Sequence, residues 1–177
     1  MKSRACLFLV LLTLVILTAL PAASEQSTDE FTVGSFRYRI PSSWNTVNKS
    51  DAYYHYAGEV GQLDDGLAYA LSQTAEEKGP ESKEEARILL TGMVNAIMDT
   101  DSGKSELLNR FDIEICGRYS SIFRLKSNVS GQVYETNCLL VLNGQEFLML
   151  VYLDRVNTPD EQIKIFSDIV NSVEISE

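Results

Sequence analysis

Apolar and polar positions alternate in short runs along most of this chain, and twice the runs give way to helical spacing. Phe31 and Val33, then Phe36, Tyr38 and Ile40, alternate with a shift at Gly34-Ser35, which predicts a short strand, a tight turn and a second strand stopped by Pro41. Ala52–Ala57 and Leu67–Gln73 predict a second pair of strands, joined by the glycine- and aspartate-bearing loop 58–66. Ser82 and Glu85 then form a Ser-x-x-Glu capping box, and Ala86, Leu89, Leu90, Met93, Val94 and Ile97 follow at helical spacing as a stripe to be buried. Alternation resumes over Phe111–Leu125. Residues 132–142 and 145–154 flank Asn143-Gly144, a pair suited to the positive φ angles of a type I′ hairpin. Phe147–Leu153 is apolar on both faces, as a central strand covered from both sides would be. Thr158, Pro159 and Glu161 open a final helix whose apolar stripe is Ile163, Phe166, Ile169, Val170 and Val173.

Strands, a helix, three strands and a helix predict an α+β fold: a mostly antiparallel sheet of about six or seven strands packed with helices, in one domain over 31–177. Residues 25–30 are polar and are expected to be loose. Trp44 is the only tryptophan, and its large apolar face is expected to fold back over the core. Over 31–175 the arrangement resembles the PsbP-like superfamily of small α/β/α sandwich proteins, which includes photosystem II extrinsic proteins and bacterial DcrB-type envelope proteins. The resemblance lies in the opening strand that closes in IPSSW (residues 40–44), the aromatic strand YYHY (53–56), the mid-chain amphipathic helix, the long meander and the last helix running into IVNSVEI (169–175). These are signatures of a fold, and none is a catalytic motif. The resemblance implies a non-enzymatic accessory or binding module, and it carries over no functional residues.

The first 24 residues add an address. Lys2 and Arg4 precede an uncharged run from Ala5 to Leu20, Pro21 breaks it, and Ala22-Ala23-Ser24 supplies small residues for cleavage before Glu25. This predicts a secretory signal peptide and a protein that is secreted or held at the cell envelope. The apolar run is short for a membrane span, which needs about 20 residues, so no stable insertion is expected after cleavage. Cys6 precedes the run and cannot become the lipid-bearing first residue of a mature lipoprotein. The leader holds two of the 15 basic residues and none of the 25 acidic ones, so the remainder carries a net charge of −12. Such a surface disfavours nucleic-acid and anionic-lipid partners.

Two cysteines remain. An oxidising compartment permits a bridge between Cys116 and Cys138, but a hairpin turning at 129–131 sets Cys138 opposite a residue near Phe123. Cys116 then lies beyond the roughly 7 Å reach of a disulfide unless the chain kinks at Gly117, and two buried thiols are the alternative.

The motifs of phosphate and calcium binding fail on inspection. Met98 stands where a P-loop ending in Gly103-Lys104-Ser105 needs glycine, and an EF-hand begun at Asp99 breaks at Lys104 and Arg110. There is no Gly-x-Ser-x-Gly elbow and no Cys-x-x-Cys pair. His55 is the only histidine, so any imidazole chemistry rests on it. Strand alternation puts Tyr53 and His55 on one face and Tyr54 and Tyr56 on the other, which makes Tyr53 and His55 either a ligand-binding platform or ordinary packing aromatics. Asp64 and Asp65, with Glu59, form either a cation or acid–base site or a solvated loop. Asn48 and Asn128 begin glycosylation acceptor triplets. The expected function is an exported, non-catalytic binding or accessory domain for an unidentified protein or small molecule, with no cofactor and no nucleic-acid partner. The alternatives are a small extracellular hydrolase using His55 with Asp64 or Asp65, and a calcium-dependent structural module.

Overall fold

The computed structural model describes residues 27–176, apart from 51, 63, 64, 77, 101–104, 130, 131, 156 and 158 and the side chains of Thr100, Asn128 and Val129. The leader expected over 1–24 and the candidate Asp64 lie outside the described residues. Among those described, ten strands form two antiparallel sheets. The larger has seven, in the order β3 (Asn45–Lys49), β4 (Ala52–Tyr56), β5 (Leu67–Thr74), β9 (Glu146–Leu153), β8 (Gln132–Asn143), β7 (Arg118–Val129) and β6 (Glu106–Ile115). The smaller is β1 (Thr28–Val33), β2 (Phe36–Pro41) and β10 (Glu174–Ile175). Helix α1 (Lys83–Thr100) covers one face of the large sheet, while α2 (Pro159–Asn171) and the small sheet cover the other.

Strand β9 lies at the centre of the large sheet and feeds both cores, as its continuous apolar run requires. Leu148, Leu150 and Tyr152 point to one side, where they meet Phe36, Tyr38 and Ile40 of β2 and Phe166, Ile169 and Val170 of α2. Phe147, Met149 and Val151 point to the other, beside Leu140 and Phe123 and beneath Ala86, Leu90 and Val94 of α1. Each leucine sealed in this way contributes roughly 1.5–3 kcal/mol. Trp44 is half-buried and stacks on Tyr152 with ring centroids 6.1 Å apart, so it folds back as expected. Ser82 caps α1 by accepting from the Glu85 N–H at 3.2 Å, and the Glu85 carboxylate reaches back to the Glu81 N–H at 2.8 Å.

Several expectations need correction. The first strand begins at Thr28, inside the segment expected to be loose, because its backbone pairs with β2 as far as Pro41. The run 111–125 is two strands, folded back at Cys116-Gly117, where both residues have positive φ (50° and 71°). That is the type I′ pattern expected at Asn143-Gly144, where instead only Gly144 has positive φ, as in a type II′ turn whose loop is Gly144-Gln145. Leu89 and Ile163 are apolar but 40% and 47% exposed, so the buried stripes of α1 and α2 are narrower than their spacing suggests. The α2 stripe gains Gln162, which donates to the Asp154 carbonyl at 3.2 Å and the Asn157 carbonyl at 2.9 Å. Cys138 faces Phe123 in register, as expected, and is a buried free thiol; Cys116 is exposed and also free, its Sγ 3.4 Å from the Val173 carbonyl.

Candidate functional site

Strand alternation brings Tyr53 and His55 to one face of β4, their rings stacked at 6.0 Å and nearly parallel, while Tyr54 meets Tyr69 on the opposite face. His55 is fully buried between the two sheets. Phe31 of β1 lies against its ring at 4.5 Å. The Tyr38 hydroxyl sits 2.9 Å from Nε2 and the Thr46 hydroxyl 2.8 Å from Nδ1. A neutral imidazole has one donor and one acceptor nitrogen, and two hydroxyls satisfy either tautomer. Burial lowers the His55 pKa to about 4, because the charged form has no water to solvate it. Burial, with Tyr53 nearby, also pushes the Tyr38 hydroxyl well above its ordinary value. A hydrolytic histidine needs a carboxylate to orient it and an open side toward substrate; His55 instead has hydroxyl partners and no exposed surface.

Asp65 is not brought to His55: it is exposed in the β4–β5 loop with its side chain over Gly58. Among the described residues, no group of three or more histidine, cysteine, aspartate or glutamate side chains is placed to hold a metal ion.

Tyr53, unlike His55, reaches the surface. It lines an open, polar bowl of about 620 Å³ with Thr32, Asn48, Gln73 and Glu146. Glu146 opens β9 opposite Thr74, and its carboxylate accepts from the Ser72 hydroxyl at 2.6 Å and the Ser35 N–H at 3.1 Å. Partial burial pulls its pKa upward, but the hydrogen bonds from Ser35 and Ser72 outweigh it and hold the carboxyl below the ordinary value. The close approach of the β1–β2 turn to this carboxylate demands Gly34, which has φ of +58°; a Cβ there would lie 1.7 Å from Glu146 Oε1. An ionised, positioned carboxylate with hydroxyl and carboxamide neighbours beside an aromatic ring suits a small ligand bearing a cationic or hydroxyl group.

Sequence reasoning missed Glu146 and also Asp154. Asp154 is buried at the end of β9, accepts from the Tyr152 hydroxyl at 2.7 Å and the Asn157 N–H at 3.0 Å, and so orders the entry to α2. The only signal for either was a lone acid bordering the apolar strand 147–153.

A second surface lies on the same face of the large sheet, at its opposite edge. Phe111 and Ile113 of β6, with Ile163 and Phe166 of α2, line a groove of about 570 Å³.

No model of a known protein family matches the sequence, and no curated protein matches it either. The solved structures are more telling. The solution structure of cyanobacterial PsbP (CyanoP) from Synechocystis sp. PCC 6803 matches with a TM-score of 0.61 at 12% identity, over 87% of this chain and 95% of that one. The fold is PsbP-like. The Ran-binding protein Mog1p of Saccharomyces cerevisiae matches with a TM-score of 0.55 at 8% identity, over 86% of this chain and 97% of that one. A protein of Bacteroides thetaiotaomicron VPI-5482 matches with a TM-score of 0.53 at 13% identity, over 86% of this chain and 49% of that one. At such identities the likeness is one of PsbP-like architecture, and function must be argued from the surface of this chain.

Proposed function

We propose that this PsbP-like domain is an exported, non-catalytic binding or accessory protein, and that Tyr53 and Glu146 form the centre of its ligand surface. The observation that carries this reading is the polar bowl, which is lined by a half-buried tyrosine and a carboxylate whose hydrogen bonds hold it ionised. His55 supports Tyr53 from beneath rather than touching ligand. Asp65 is not among the residues that line the bowl. Export rests on the leader of residues 1–24, and no helix among the described residues is long and apolar enough to cross a membrane. The Ran-binding activity in the name of Mog1p is an instance of the same fold serving protein recognition.

Thermal shift against a panel of small amines and polyols tests the reading. A compound that raises the wild-type Tm and fails to raise that of Glu146→Gln or Tyr53→Ala is the expected result. Turnover of ester or peptide substrates that disappears in His55→Gln would overturn it in favour of the hydrolase, and a Tm raised by calcium and lowered by EDTA would favour the calcium-dependent module.

A further inference from the structure

The two edges of the large sheet are built differently. Strand β3 is five residues long, polar and ends in Lys49, which are ordinary protections against pairing with another chain. Strand β6 is ten residues long, pairs only with β7 among the described strands, and contains neither lysine nor proline. A bulge at Leu108 interrupts its first half and leaves 109–115 as a regular, open edge. Phe111, in the middle of that stretch, is 61% exposed, and Ile113 beside it and Ile163 across the groove are exposed too.

We propose that β6 is a homodimer interface, with the β6 of a second copy added antiparallel about a two-fold axis through Phe111. The charges choose both occupant and register. Arg110 and Asp112 share the α1 face of β6 and pair with one another at 2.8 Å; Arg110 is steadied by Thr91 of α1 at 2.9 Å and Ser121 of β7 at 3.0 Å. Antiparallel self-pairing centred on Phe111 sets each Arg110 directly opposite the second copy's Asp112, so two arginines and two aspartates alternate across the seam. Centring on Arg110 or on Asp112 would place like charges face to face. On the α2 face the same register brings the two Phe111 rings together, over Ile163 and its counterpart. Strand β6 also carries Glu106 and Glu114, and in this register Glu114 falls opposite the bulge at Leu108, so no two acids stand face to face. The joined edges exchange main-chain hydrogen bonds and close the groove mouths against each other.

The test uses protein expressed from the full sequence and purified in the form in which cells leave it, followed by sedimentation equilibrium. Wild type is expected to dimerise. Arg110→Asp and Asp112→Arg are each expected to weaken the dimer roughly tenfold or more, and the double exchange to restore it. Thermal unfolding establishes that each variant is folded. Independently, Phe111→Cys in a Cys116→Ser background should form an interchain disulfide on mild oxidation, because facing residues of an antiparallel pair lie about 4.5–5.5 Å apart at Cα. Val60→Cys, on the exposed β4–β5 loop, should not. A wild-type monomer, a dimer indifferent to both single reversals, or a dimer that Phe111→Cys does not cross-link would each overturn the proposal.

Discussion

At His55, burial rather than a neighbouring charge sets the chemistry. Its folded-state pKa of about 4 lies below the ordinary 6.5, so the unfolded chain accepts a proton that the folded protein refuses. The stability this site contributes is therefore complete above pH 6.5 and is lost as pH falls from 6.5 to 4, by roughly 3 kcal/mol over the window. His55→Gln should flatten the dependence of urea-unfolding free energy on pH across that range. An unchanged slope in the variant would assign the loss to other groups. Glu146 is a separate case, since its lowered pKa acts only below its ordinary 4.5. Gly34 offers a second residue-scale check. Both Gly34 and Gly117 have positive φ, but a Cβ on Gly34 strikes Glu146 whereas one on Gly117 meets nothing within 4 Å. Gly117→Ala should cost about 1 kcal/mol from backbone strain alone, and Gly34→Ala clearly more, roughly 2–3 kcal/mol, by thermal unfolding. The Tyr53–His55 face was legible from alternation. The hydroxyls that seal His55 were not, because Tyr38 is 17 residues distant and meets it only when the small sheet docks.

The elements divide according to how much of their burial is one-sided. Strands β2 and β5 and both helices were legible from apolar spacing, and β4, β8 and β9 from short aromatic or apolar runs. Strand β3 was not, since the stretch Asn45–Lys49 is exposed at all but Val47 and has no apolar alternation to read. Strand β6 merged with β7 because the turn between them is Cys116-Gly117, and a cysteine with φ of 50° is not a turn signal. Apolar spacing also overstates burial in α1, where Leu90 is 2% exposed and its neighbour Leu89 is 40% exposed. Leu90→Ala should cost about 3 kcal/mol, as a cavity beneath the helix, and Leu89→Ala less than about 1 kcal/mol. Equal losses in chemical denaturation would mean that α1 sits rotated on the sheet.

At the scale of the molecule, one sheet separates two cores of different character. The core under α1 is bordered by the buried hydroxyls of Ser121 and Ser127, while the one under α2 and the small sheet encloses His55 and borders the buried Asp154. The polar groups in that second layer tie β1, β2 and the start of α2 to the large sheet, and what reaches solvent from it is Tyr53 and the carboxylate of Glu146. The α+β class could be read in advance because it follows from element order and face patterning, and the PsbP-like architecture through the family resemblance. The bowl could not, because it is assembled from β1, β3, β4, β5 and β9, which no spacing along the chain connects. The central claim is that the chain's single imidazole is structural and that the protein works by binding through its surface. An NMR titration of His55, the only histidine resonance in the spectrum, tests it most directly. A midpoint near 4, with the ring NH protected from solvent exchange, is the expected result. A midpoint at or above 6.5, with rapid exchange, would place the imidazole within reach of substrate and contradict the account.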